Sequence, residues 1–265
     1  MAGIEVRDVS LGYGRRLVLE NLNFQVTGGE MVGLIGPNGG GKSTVIRALS
    51  RVIPTRLGKI LVDGRDVTRI PRHDLARLIG VVPQIPLLPS AFTAFEIVLM
   101  GRNPHLGILQ RESPADFEST WRAMELTSTR HLARRRVGEL SGGEIQCLLI
   151  ARVLVQATRV VLLDEPTANL DISRQVEILG LIKRLCLREK LAVLAALHDL
   201  NLASQYCDRL ILLSQGKIYA EGTPREVINP DNLRAVYGVR DGISVRLLNG
   251  RPVVLPGAGN IEPAG

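Results

Sequence analysis

The chain has 265 residues, of which 45% are hydrophobic and 22% charged, and its net charge is +7. That apolar share supplies one full core and excludes a disordered chain. The positive balance suits an anionic partner such as a nucleotide. Aromatic residues are only 3%, however, and the one dense basic run is Arg134 to Arg136, so nucleic acid is not an expected partner.

The beginning alternates. Ile4 and Val6, then Leu22, Phe24 and Val26, place apolar residues at a period of two, the pattern of antiparallel strands with one wet face. Thr27 to Glu30 reads as a turn. Met31 to Ile35 is apolar throughout, as in a strand buried on both faces. The spacing predicts a helix over Lys42 to Leu49, a hairpin over Leu57 to Val67 turning at Asp63-Gly64, and a short strand over Ile79 to Val82.

From Pro86 to about Gln156 the pattern is helical. Thr93 with Glu96 has the spacing of a capping box. Ser113, Pro114 and Asp116 open a second helix, with Phe117, Trp121 and Met124 as its expected packing residues. A third helix follows Ser141 and runs to Val155. Val160 to Leu163, Leu191 to Leu197 and Leu210 to Leu213 are further buried strands, with a helix over Ile172 to Arg188. Asn249-Gly250 near the end marks a hairpin, and residues 257–265 read as a tail. Buried strands alternating with helices imply an α/β fold with a mostly parallel sheet. An antiparallel β part and an inserted helical part at about 86–156 are additions to it, all within one domain over 1–265. A C-terminal hairpin spans 238–256.

Gly36-Pro37-Asn38-Gly39-Gly40-Gly41-Lys42-Ser43 fits G-x-x-x-x-G-K-[ST], and with Thr44 forms a candidate phosphate cradle. Glycines let backbone N–H groups converge on phosphate oxygens, and the helix starting at Lys42 adds its positive end. The Lys42 ammonium reaches the β- and γ-phosphates, and the Ser43 hydroxyl is a candidate Mg²⁺ ligand. The strand at Val160 ends in Asp164 and Glu165. In a parallel sheet ligands gather beyond the carboxyl ends of strands. Asp164 is therefore expected to hold the metal, directly or through water, and Glu165 to polarise the attacking water.

Leu140-Ser141-Gly142-Gly143-Glu144 resembles the signature of ATP-binding-cassette (ABC) ATPases and lies upstream of the acidic strand, as in that family. The remaining residues follow in the family's order. Tyr13 resembles the aromatic that stacks on adenine. Gln84 resembles the glutamine that senses Mg²⁺ and the membrane subunit. Ala168-Asn169-Leu170-Asp171 resembles the dimer-contacting loop, and His198 the γ-phosphate histidine. The resemblance implies ATP and Mg²⁺ as ligands, with Lys42, Glu165 and His198 in catalysis. It also implies a homodimer in which Ser141, Gly142 and Gly143 of one copy meet the nucleotide of the other. Two departures stand out. Ile145 sits where the family usually has a polar residue, with Gln146 retained beside it, and Gly40 replaces the commoner serine.

Thr93 to His105, with its Gly101-Arg102-Asn103-Pro104-His105 run, resembles the corresponding segment of importers of iron–siderophores, haem and vitamin B12. On that resemblance the chain is the ATPase of a metal-chelate importer. It would sit on a permease at the cytoplasmic face of the membrane, with a periplasmic or lipid-anchored binding protein in the full system. A metal-oxyanion importer, an exporter and a soluble ABC ATPase remain the alternatives. No signal pattern is present. The longest apolar run, Leu191 to Leu197, has seven residues, against the roughly 20 needed to span a bilayer. Cys147, Cys186 and Cys207 fit neither a zinc site nor a redox pair and read as small buried groups in a reducing compartment.

Overall fold

The computed structural model describes residues 3–107, 109–238 and 243–256. The expected tail, 257–265, lies outside the described residues. The chain starts with an antiparallel sheet. Strands β1 (Gly3–Tyr13) and β2 (Arg16–Thr27) form a tight hairpin, and β1 also pairs with β4 (Leu57–Val62), which carries the two-residue β5 (Arg65–Asp66) on its far edge. Both first strands are longer than the Ile4–Val6 and Leu22–Val26 patterns. Register shifts between Val6 and Gly12 bend the hairpin and interrupt the alternation there.

Between β2 and β4 lie β3 (Met31–Ile35) and α1 (Lys42–Leu49). Then follow α2 (Arg72–Leu78), β6 (Ile79–Val82), α3 (Ala94–Leu99), α4 (Pro114–Leu126), α5 (Gly142–Val155), β7 (Val160–Asp164), α6 (Ile172–Arg188), β8 (Ala192–Ala196), α7 (Leu200–Tyr206), β9 (Arg209–Ser214), β10 (Lys217–Gly222), α8 (Pro224–Val227) and α9 (Pro230–Tyr237). A hairpin of β11 (Ile243–Leu248) and β12 (Arg251–Pro256) closes the described chain, turning at Asn249-Gly250. The main sheet has the order β10-β9-β3-β8-β7-β6. Pairing is parallel from β9 to β6, and β10 adds an antiparallel edge.

The all-apolar strands are buried on both faces because each face meets a different layer. Val32, Leu34, Val160, Leu162, Ala192 and Leu194 point into a core shared with α1 and the antiparallel sheet. Their neighbours Met31, Ile35, Val161, Leu163, Val193 and Ala195 point into a second core under α5 and α6. A third cluster, with Ala94, Ile97, Val98, Ala123, Met124, Leu148, Ala151 and Val155, belongs to the helical region. Helix α5 serves both of the last two cores, with Leu149, Ile150 and Val153 facing the sheet.

The capping boxes expected at Thr93–Glu96 and Ser113–Asp116 are both formed. Met124 is buried, as expected of a packing residue, but Phe117 and Trp121 are 41% and 36% exposed. They lie on the flank of α4, where Phe95 stacks on Phe117 at 6.0 Å and packs at a tilt against Trp121 at 4.5 Å. Arg130 caps the Trp121 ring at 5.3 Å. Cys186 and Cys207 are buried and Cys147 is partly so, all unpaired. Burial pushes these thiols up to about 11, 12 and 11 respectively, which leaves them unreactive at neutral pH. Among the described residues no helix is long and apolar enough to cross a membrane.

Candidate functional site

Four neighbouring strands, β3, β8, β7 and β6, run parallel, so their carboxyl ends open on one edge. Each delivers a candidate residue there. Gly36 follows β3, His198 comes two residues after β8, Asp164 ends β7 with Glu165 next, and Gln84 comes two residues after β6. This is the edge where α/β sheets bind ligands.

The loop after β3 is built to turn sharply beside β9. At Gly36 the backbone has φ 146°, and a Cβ would lie 2.4 Å from the Leu213 carbonyl oxygen. Only glycine fits that approach. The Lys42 side chain, 5% exposed, folds back over the loop. Its Nζ donates to the carbonyls of Gly36 at 2.9 Å and Pro37 at 3.1 Å. Burial lowers the Lys42 pKa, opposed by the charges of Glu165 and Asp164. Helix α1 begins at Gly41 with no side-chain cap and no acid in its first turn. Its first N–H groups therefore await an acceptor. A cavity of about 150 Å³ opens over them, lined by residues 38–44 and Glu165. The Gly40 N–H is already used, donating to Pro37 O at 3.0 Å.

The acidic end of β7 is tied to this loop. The Ser43 hydroxyl donates to Asp164 Oδ1 at 2.8 Å. Glu165 stands in the left-handed region at φ 49°, with its N–H donating to Ala196 O at 3.1 Å. A non-glycine residue held there carries strain of the kind found at working sites. Gln84 Nε2 donates to Glu165 Oε2 at 2.7 Å. His198 Nε2 lies 3.0 Å from Asn38 Oδ1. An amide oxygen only accepts, so the histidine nitrogen carries the hydrogen. The Tyr13 ring ends β1 and is 42% exposed, with Arg47 of α1 within 3.4 Å of its hydroxyl. Ser43, Asp164 and Gln84 carry hydroxyl, carboxylate and amide oxygens, the kind of hard donor that suits Mg²⁺ alongside phosphate.

The signature residues are elsewhere. Ser141 is the N-cap of α5, donating its hydroxyl to Glu144 at 2.8 Å in a complete capping box. Neither Ser141, Gly142 nor Gly143 is among the described residues lining the cavity over α1. Asp171 is the N-cap of α6, accepting from Arg174 N at 2.9 Å, so its carboxylate is committed locally. Ile145 packs on the core beneath α5, which gives its apolar character a role the sequence did not suggest.

One link escaped sequence reasoning. Gln146, buried in α5, donates from Nε2 to the Pro166 carbonyl at 2.8 Å. It lies three and four residues after Gly143 and Gly142, hence on their face of the helix, and that spacing was the available signal. It couples the signature helix to the loop after Glu165.

Comparison with known proteins agrees with this geometry. The ABC transporter family profile matches residues 19–168. The ferric enterobactin transport ATP-binding protein FepC of Escherichia coli (strain K12) is 39% identical over 256 residues, 97% of this chain and 94% of its own. Among solved structures, an ABC transporter described as of metal-chelate type, in an inward-facing conformation, is 27% identical with a TM-score of 0.82. That alignment covers 96% of each chain. A dimeric bacterial ABC transporter cassette, MJ0796, is 25% identical with a TM-score of 0.73, over 84% of this chain and 99% of its own. A phosphate cradle at the edge of four parallel strands, an acid pair beside it and relatives of this kind lead to one conclusion: the chain belongs to the ABC transporter family, as one of its ATP-binding, ATP-hydrolysing subunits.

Proposed function

We propose that two copies of this chain close on two ATP molecules and thereby drive a separate permease that takes up a metal chelate. The observation that carries the reading is the incompleteness of the site. The cradle of residues 36–44 offers one wall to a triphosphate. The N-terminus of α5, at Ser141-Gly142-Gly143, has its Ser141 and Glu144 N–H groups engaged in the capping box, and the Gly142 and Gly143 N–H groups beside them are a second anion-binding end with no cradle of its own. A second copy, turned head to tail, satisfies both. The dimeric cassette among the structural relatives supports this arrangement. The chelate cargo rests on the resemblance of the Thr93 to His105 segment. The relatives that transport ferric enterobactin and that are of metal-chelate type support it.

In this reading Lys42 and the free N–H groups of α1 hold the β- and γ-phosphates. Ser43, Asp164 and Gln84 would hold Mg²⁺, which when bound neutralises phosphate charge. Glu165 orients a water and draws on its proton as the water oxygen attacks the γ-phosphorus. The bond to the β-bridging oxygen breaks, ADP leaves, and inorganic phosphate keeps the water oxygen. His198, held by Asn38, donates to the γ-phosphoryl oxygens. Tyr13 supplies a face for the adenine. Asp171 acts by fixing the start of α6 at the dimer surface. The permease holds the subunit at the cytoplasmic face of the membrane, and a substrate-binding protein delivers cargo on the other side.

The test is Glu165→Gln, which keeps the shape and removes the charge. It should bind ATP with wild-type affinity, run as an ATP-dependent dimer on sizing, and lose about 10²- to 10⁴-fold in turnover, the usual reach of general-base catalysis. Undiminished turnover would overturn the assignment of Glu165.

A further inference from the structure

The Gly101 to His105 run resembles a cargo-class segment, yet apart from the exposed Asn103 its residues are buried or half-buried against the protein. They meet the C-terminal end of α5. Residues Met100–His105 form a tight 3₁₀ stretch laid across that helix. Gly101 lets the two backbones touch, since a Cβ there would lie 2.3 Å from Arg152 O. Arg102 Nη1 donates to Val155 O at 3.1 Å, one of the end carbonyls that α5 cannot satisfy itself. The positive guanidinium also suits the negative end of the helix. His105 Nε2 meets Gln156 O at 2.8 Å.

The same end is tied to the core. Gln156 Nε2 donates to the carbonyls of Ala76 and, at 3.1 Å, Ile79, where α2 hands over to β6. Arg77 Nε returns a bond to Pro104 O at 2.5 Å. Arg102 Nε closes the ring through Asp116 Oδ1 at 2.7 Å, at the start of α4. The knot thus joins four segments: the 3₁₀ stretch, α5, α2 with β6, and α4.

Val153 and Val155 pack this end of α5 into two cores, but one side of it is open. A cavity of about 370 Å³ runs along it, with Leu126 of α4, Val153 and Leu154 of α5 and Leu191 before β8 in its wall, and Arg102 at its rim. The exposed Ser119, Arg122 and Glu189 also line it, so it is a groove open to solvent. The hydrogen-bonded knot adds directional ties to that packing. At its other end, about 20 Å away at 1.5 Å per residue, stand Ser141 and the signature glycines. A tilt of about 5° at the knot displaces that end by roughly 2 Å, and misplacements of about 1 Å cost of order 10²-fold in rate.

We propose that Arg102, His105 and Gln156 are positioning residues that set the pitch of α5. They thereby place Ser141 to Gly143 against the nucleotide held by a second copy. The inference rests on the reading that the signature completes a partner's site.

The test uses the full chain with Arg102→Gln, Arg102→Lys, His105→Ala and His105→Gln, and with Ser141→Arg as a control on the underlying reading. Three quantities are measured: affinity for a fluorescent ATP analogue at dilute protein, the dimerisation constant with a non-hydrolysable ATP analogue, and kcat at saturating ATP. Arg102→Gln and His105→Ala should keep nucleotide affinity within about twofold. They should lose tenfold or more in both dimerisation and kcat. His105→Gln, which retains an N–H donor toward Gln156 O, should recover most of the loss. Arg102→Lys, which keeps the charge on α5 but not both bonds, serves in place of Arg102→Gln where that variant fails to fold, and should fall between it and the wild type. Unchanged dimerisation in the folded variants overturns the proposal, as does a loss fully explained by weaker nucleotide binding. If Ser141→Arg dimerises normally, it is the two-copy reading that fails. If Ser141→Arg is impaired while the Arg102 and His105 variants are not, the positioning role fails alone.

Discussion

Lys42 carries its ammonium into a place where only 5% of its surface meets water, and it donates there to the carbonyls of Gly36 and Pro37. Phosphate oxygens are stronger acceptors than those two carbonyls. Lys42→Ala should weaken ATP binding by about 10- to 100-fold, the scale of one charge-assisted hydrogen bond, as read by titration calorimetry. Wild-type affinity in that variant would contradict the cradle assignment. Single residues differed in how openly the sequence announced them. The loop from Gly36 to Thr44 was legible because few physical tasks need that many glycines before a lysine and a hydroxyl. Asn38 and His198 were each in view, but their pairing at 3.0 Å joins residues 160 positions apart, which periodicity does not reach. Phe117 and Trp121 looked like core because aromatic size is a poor guide to side. They sit four apart on α4, on the flank beside Thr120 and Met124 rather than on the buried face itself.

At the level of the element, helix α4 shows how capping and charge combine. Asp116 receives the Ser113 backbone N–H and hydroxyl, and the Arg102 guanidinium lies against its other oxygen. The Ser113 bonds, foremost the backbone one, together with Arg102 hold its carboxyl at about 2, below the usual 3.9 or so. A carboxyl with a lowered folded value stabilises the fold above its unfolded value, and that stabilisation fades as pH falls from about 4 toward 2. Asp116→Asn should therefore be less stable than wild type at pH 7, with the gap in urea midpoint narrowing steadily below pH 4. A constant gap would show that the charge is not what counts. The long helices and two-face strands were readable from periodicity and caps. Helices α2, α7, α8 and α9 were not. Helices α2 and α9 bury only Leu75 and Leu233 respectively, too little to print a helical period on the sequence.

Across the whole molecule, three apolar clusters imply unequal local stabilities. The two clusters on the main sheet are sealed by strands and helices on both sides. The helical cluster is smaller and borders the 370 Å³ cavity. Hydrogen exchange should therefore find the amides of β3, β7 and β8 opening only with global unfolding. Those of α3 and α4 should open at a free energy lower by a few kcal/mol. Equal protection in both regions would refute the division. The layered α/β plan was legible because apolar runs alternate with amphipathic helices. The void along α5 was not, because no local pattern reports how well two distant surfaces fit.

The start of α1 differs from the other long helices. Helices α4, α5 and α6 each begin under a side-chain cap from Ser113, Ser141 or Asp171. Helix α1 begins at a glycine with nothing over its first turn. Val45 N–H already donates to Gly41 O at 3.0 Å, and in the proposed function a bound phosphate would do for Lys42 to Thr44 what a serine does elsewhere, as a removable structural residue of the fold. On that proposal each round of hydrolysis and release would uncap a helix that packs on the main core, and each new ATP molecule would finish the folding of the subunit about to cleave it.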